Sequence, residues 1–121
     1  MSTSRDPDAW LPLTPALFYV LVALADEEKH GYAIIKDVAG LTSDSVRLSS
    51  GTLYGIIKRL LDDGLVVEVK RRPEGDVRRR YYSLTPFGRE VALAETSRLE
   101  RTAALARATR QLREPSSRRA R

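Results

Sequence analysis

Few side chains in this 121-residue sequence could carry catalytic or metal chemistry. There is no Cys and one His, so disulfides, thiolate nucleophiles and thiolate zinc sites have no residues to build them. His30 has no nucleophile at a suggestive spacing and reads as a surface or capping histidine. Asp62-Asp63 looks like a carboxylate pair, yet adjacent positions on a helix diverge by about 100°, so a polar helix end is the better reading. Gly51-x-x-x-Gly55 is neither a phosphate loop nor a membrane packing motif in this setting. The residue count leaves no catalytic constellation, and neither an enzyme nor a cofactor is expected.

What the chain does hold is arginine: 17 of its 21 basic residues are Arg and four are Lys. Arg forks onto phosphates and guanine edges, although GC-rich coding enriches Arg too. The net charge of +5 divides unevenly, with −4 over residues 1–46, +4 over 47–84 and +5 over 85–121. Lys70, Arg71, Arg72, Arg78, Arg79 and Arg80 put six cations on two neighbouring extended segments, against the three anions Glu68, Glu74 and Asp76. Discouraging edge-to-edge aggregation asks only for some charge of either sign, so this excess points to contact with phosphates. Just upstream, Ser49, Ser50 and Thr52 crowd hydroxyls at a helix start, where free N–H groups also attract a phosphate. Tyr54, Lys58 and Arg59 are the larger donors on the same element.

The elements that must position these groups follow from local signals. Thr14-Pro15 caps a first helix whose run Ala16–Ala25 is apolar on every side, so it needs cover on two faces. Ten apolar residues are about half of a membrane span. Residues 1–10 hold no apolar stretch of a secretory signal, and a cytoplasmic place is expected. Asp26-Glu27-Glu28-Lys29 is a polar turn, and His30-Gly31 opens a second helix over Tyr32–Ala39, with Gly40 at its left-handed cap. Val46-Arg47-Leu48 reads as a short strand. In the third helix Leu53, Ile56, Ile57, Leu60 and Leu61 form a core stripe, while Thr52, Gly55, Lys58, Arg59 and Asp62 fall largely opposite. Leu65–Arg71 and Arg78–Leu84 form a β-hairpin around the turn formers of 72–77, with Tyr81 and Tyr82 on opposite faces. Thr85-Pro86 caps a last helix from about Phe87 to Leu112.

That order is mainly α with a small β-hairpin: a winged helix-turn-helix plus a long C-terminal helix. The division is a flexible arm over 1–12, a winged-helix domain over 13–86, the long helix over 87–113 and a disordered basic tail over 114–121. In such folds the third helix enters the major groove and the hairpin touches the backbone.

Residues 13–90 resemble the PadR family of bacterial transcriptional regulators. The likeness rests on Leu13-Thr14-Pro15, His30-Gly31-Tyr32, Leu48-Ser49-Ser50-Gly51-Thr52-Leu53-Tyr54, Lys58-Arg59-Leu60 with Asp63-Gly64-Leu65, and Arg80-Tyr81-Tyr82-Ser83-Leu84-Thr85-Pro86-Phe87-Gly88-Arg89. It implies a homodimer that binds a palindromic operator in double-stranded DNA, usually as a repressor. The long C-terminal helix would then be the dimerisation helix, and a small aromatic effector would sit near it. The chain stops after one long helix, as in the short branch of the family, and that helix lacks the Trp with which some short members stack a ligand. Expected DNA contacts are Tyr32, Ser49, Ser50, Thr52, Tyr54, Lys58, Arg59, Arg71, Arg72, Arg78, Arg79 and Arg80. Expected effector or dimer contacts are Trp10, Phe18, Val91, Leu99 and Leu105. No metal and no membrane partner are expected; a small-molecule sensor and a protein-interaction module on the same fold are the alternatives.

A dimer engaging about six phosphates should show a log K against log salt slope near about −5. Arg79→Ala should weaken all duplexes alike and flatten that slope; an unchanged slope in a salt titration would remove the hairpin from the phosphate contacts.

Overall fold

The structure, a computed structural model, describes residues 5–70 and 80–112. Among them the chain forms four α-helices and three short strands: α1 (Pro15–Ala23), β1 (Lys29–His30), α2 (Gly31–Leu41), α3 (Ser50–Asp62), β2 (Val66–Val69), β3 (Tyr81–Leu84) and α4 (Pro86–Ala108). The same local device starts every helix. Thr14, His30, Ser49 and Thr85 sit in extended conformation, and each side chain accepts from the backbone N–H three residues on. His30 uses Nδ1 for this, 3.2 Å from the Ala33 N–H.

The helices pack through Leu17, Val20 and Leu21 of α1, Ile34 and Val38 of α2, and Leu53, Ile57 and Leu60 of α3. Leu65, Val66 and Tyr82 close the core from the sheet, and Val91 from α4. The sheet is antiparallel in the order β1-β3-β2, with Lys29 opposite Tyr82, His30 opposite Tyr81 and Val66 opposite Leu84. α1 buries Leu17, Val20, Leu21 and Ala23 and leaves Phe18, Tyr19 and Val22 partly exposed.

Several sequence expectations are corrected. Residues 46–48 are not a strand; the third strand is Lys29–His30, drawn out of the expected polar turn to pair with β3. Lys29 is buried there because its ammonium donates to the Ala23 carbonyl at 2.6 Å and pairs with Asp26 at 2.7 Å and Asp37 at 3.2 Å. Gly40 lies inside α2, which runs on to Leu41, and the left-handed residues are Ser43 and Asp44. Thr42 makes that exit: its hydroxyl donates to the Val38 carbonyl at 2.8 Å and accepts from the Val46 N–H at 3.1 Å. The last helix is α-helical from Pro86 to Ala108 and ends in a 3-10 turn over Arg110–Leu112. Pro7–Trp10, in the expected arm, forms another 3-10 turn packed on α4. Val91 is 0% exposed, so the core claims it and it makes neither an effector nor a dimer contact.

One buried carboxylate ties α4 to the entrance of α1. Glu95 receives Arg98 Nε at 2.6 Å, Arg98 Nη2 at 2.9 Å and the Leu13 N–H at 3.3 Å. The Arg98 hydrogen bonds, helped by the Leu13 N–H, hold its pKa below the ordinary 4.5 against the opposing effect of burial. A lowered folded-state pKa means that the stabilisation is present above the unfolded-state value and lost as the pH falls through the folded-state one. Glu95→Gln should therefore cost on the order of 2 kcal/mol at neutral pH. Melting curves of wild type and variant should converge as the pH drops below 4.5; a gap that stays constant down to pH about 2 would mean that the charge contributes nothing.

Candidate nucleic-acid interface

α3 has two faces because its apolar residues recur at the helical period. Leu53, Ile57 and Leu60 are buried, while Ser49, Ser50, Gly51, Thr52, Gly55, Lys58 and Arg59 are exposed. At its start the Ser49 hydroxyl donates to Thr52 Oγ1 at 3.1 Å and accepts from the Thr52 N–H at 3.1 Å. Ser50 is exposed beside this pair. Farther along, Lys58 pairs with Asp62 at 3.0 Å and Arg59 with Asp63 at 3.9 Å, all four side chains being more than one-third exposed. Exposed pairs of this kind hold by only about 0.3–0.5 kcal/mol, so either cation can exchange its carboxylate for an incoming phosphate. The α3 face thus offers hydroxyls at one end and weakly held cations at the other.

Around α3 the other expected residues divide. Tyr32 is 63% exposed on the first turn of α2, with the Lys36 ammonium 5.5 Å from its ring centroid. Arg80 is exposed at the start of β3, 3.9 Å from Glu68 across the hairpin. Arg71, Arg72, Arg78 and Arg79 lie outside the described residues. Tyr82 is in the core, and burial, with Tyr54 and Glu68 adding to it, pushes its phenol above the ordinary value. Its neighbour Tyr81 stands edge-on to His30 with ring centroids 5.4 Å apart.

Tyr54 has a role that its position on the wheel does not reveal. Its ring leans back from α3, and its hydroxyl end occupies the space that a side chain on the buried Gly31 would take. The far end of a tyrosine on one helix and a missing side chain on the other therefore meet where α2 approaches α3, with Tyr54 itself 48% exposed. Trp10, Phe18, Leu99 and Leu105 also separate. Trp10 stands edge-on to Phe87 at 5.3 Å and is half-buried. Phe18 and Leu99 line one cleft of about 200 Å³ between α1 and α4, together with Leu13, Tyr19, Glu95 and Arg98. Leu105 is 73% exposed. Among the described residues no group of His, Asp and Glu could hold a metal ion, and no helix is long and apolar enough to cross a membrane.

Three helices, the third with one buried and one polar face, and a three-stranded antiparallel sheet define a winged helix-turn-helix with an appended long helix. Residues 20–94 match the transcriptional regulator PadR-like family, and the chain belongs to it. It is 36% identical over 85 residues to the transcriptional regulator Rv3488 of Mycobacterium tuberculosis, spanning 70% of this chain and 76% of that protein. A transcriptional regulator from Clostridium thermocellum superposes with a TM-score of 0.64 at 26% identity, over 74% of this chain and 86% of the other. Bacillus subtilis PadR, solved in complex with operator DNA, shares the fold at a TM-score of 0.59 and 18% identity, over 67% of this chain and 47% of that one.

The contact between Gly31 and Tyr54 has a measurable signature. Gly31→Ala should destabilise the protein by about 1 kcal/mol, at the low end for overpacking, since the added methyl must displace the end of a half-exposed ring. In a Tyr54→Ala background the same change should cost nothing beyond about 0.5 kcal/mol. Equal costs in the two backgrounds, measured by denaturant unfolding, would disprove the contact.

Proposed function

We propose that this protein binds operator DNA as a homodimer and represses transcription, with α3 in the major groove and the basic hairpin on the flanking backbone. The observation that carries this reading is the divided surface of α3: a buried stripe anchors the helix, and the opposite face presents Ser49, Ser50, Thr52, Lys58 and Arg59. The major groove, about 12 Å wide, admits one helix, so side chains on that face reach base edges and phosphates. That Bacillus subtilis PadR, which shares the fold, was solved in complex with operator DNA supports DNA as the partner. On this reading Tyr32, at the start of α2, faces the backbone, and Arg71, Arg72, Arg78, Arg79 and Arg80 supply the wing's phosphate contacts. Tyr54, half-exposed on α3, keeps its hydroxyl end against α2 at Gly31.

The exposed apolar side chains of α4 and of the turn after it support the dimer: Leu93 near the start of the helix, Leu99 and Leu105 farther along it, and Leu112 in the 3-10 turn beyond. A second copy that covered them would also reach the outward side chains of α1, Phe18 and Tyr19. The cleft behind Phe18 and Leu99 favours a second role, as the place for a small apolar effector.

Selection of binding sites from a random duplex library tests the main reading. Two related half-sites about one DNA turn apart, roughly 34 Å, are expected, bound by a dimer. Thr52→Ala should narrow the gap between the selected duplex and random DNA. A library from which nothing is enriched, at low and moderate salt, would refute sequence-specific binding.

A further inference from the structure

The residues just before α1 have no part in the DNA-binding face, yet they converge on the C-terminal end of α3. The Arg5 guanidinium stacks over two rings, 4.3 Å from the centroid of Phe87 and 5.0 Å from that of Trp10. From there it donates to the Asp63 carbonyl at 2.6 Å. That carbonyl belongs to the C-cap of α3, where unsatisfied C=O groups and the negative end of the helix dipole favour a cation. Trp10 adds a second tie: its indole N–H lies 3.4 Å from the Asp63 carboxylate, the same group that pairs with Arg59. Phe87, the other face of the stack, is in the first turn of α4. One arginine and one tryptophan therefore join three elements: the arm, the end of α3 and the start of α4.

We propose that Arg5 and Trp10 are positioning residues for DNA recognition, a clasp that fixes the angle between α3 and α4. The inference rests on the reading of α3 as the recognition helix. Neither residue needs to touch DNA. In a dimer built along α4, the angle at this joint sets how far apart and in what orientation the two α3 helices stand. Loosening it leaves each α3 intact but lets the pair wander, and this removes register on two half-sites while sparing contacts that any duplex offers.

The test compares wild type, Arg5→Ala, Arg5→Lys and Trp10→Phe as full chains. Each is measured against a duplex that wild type selects from a random library and against unselected duplex. Arg5→Ala should weaken binding to the selected duplex by about tenfold and leave unselected duplex unchanged, with an unaltered dimer. Arg5→Lys, which keeps the cation, should recover part of the loss, and Trp10→Phe should lie between. Trp10 is the single tryptophan, so its emission should shift to the red in Arg5→Ala as the stack opens. Unchanged affinity in Arg5→Ala, or equal loss on both duplexes, overturns the clasp. If wild type selects no duplex, the DNA reading fails by itself. The clasp is then decided by hydrogen exchange: faster exchange at Gly64 and Leu65 in Arg5→Ala upholds it, and unchanged exchange rejects it.

Discussion

The turn Asp63-Gly64-Leu65 is the point on which the architecture depends, because α3, the sheet and α4 are all fastened to its backbone. Thr85, which caps α4, donates its hydroxyl to the Gly64 carbonyl at 2.8 Å and its N–H to the Leu65 carbonyl at 3.0 Å. Gly88, one turn into α4, lies so close to that Leu65 carbonyl that no side chain would fit between them. Leu65 also closes the turn by donating its own N–H to the Leu60 carbonyl at 2.9 Å. α4 thus starts on the two carbonyls that follow the C-cap of α3, so the two helices meet through backbone contacts as well as through the Arg5 and Trp10 side chains. Rotating the long helix against α3 would break these partly buried hydrogen bonds, each worth on the order of 1 kcal/mol.

Charge is used in two different ways. Lys29 and Glu95 are buried and satisfied by several short bonds, so each fastens separate elements: Lys29 joins the consecutive α1, β1 and α2, and Glu95 joins α4 to the distant Leu13. By contrast Lys58, Arg59 and Arg80 meet their carboxylates in the open. The buried groups cannot leave their partners without a large desolvation penalty, whereas the exposed ones lose little on exchange. Net charge does not separate these classes. The −4 of residues 1–46 includes Asp26 and Asp37, which exist in this fold to neutralise Lys29.

Signals that are local in sequence were legible, and those made by distant partners were not. A hydroxyl followed by proline at 14–15 and 85–86, and the hydroxyl cluster at 49–52, announce helix starts because a cap needs only the N–H three residues on. The two faces of α3 were legible for the same reason, since period and burial agree along one element. β1 has two residues and no period; it exists because β3 offers an edge beside it. The exit of α2 went to Thr42 rather than Gly40 because the threonine side chain could bond Val38 and Val46 at once. In the site, Tyr54 read as a donor and is exposed, but nothing near it in sequence shows that Gly31 will also face its hydroxyl end. Arg5 read as one charge in a polar arm, and only the fold brings Trp10 and Phe87 to either side of it.

The same contrast explains Val91 and Leu105, which look alike in the sequence but meet different fates. α4 is anchored through Gly88, Val91 and Glu95, all buried, so its first three turns belong to the core. Beyond Arg98 every described position of the α-helix except Ala106 is exposed. Isolated helices of such length are marginal in water, and Leu99 and Leu105 add apolar surface that water disfavours. Leu99 and Leu105 thus stand among polar neighbours such as Glu100, Arg101 and Arg107, while Phe18 and Tyr19 of α1 are only partly exposed beside Leu99. Through Thr85 and Gly88 the core-bound start of α4 sits directly against the Gly64-Leu65 turn that follows α3, so the anchored turns of α4 and the end of α3 share one backbone contact.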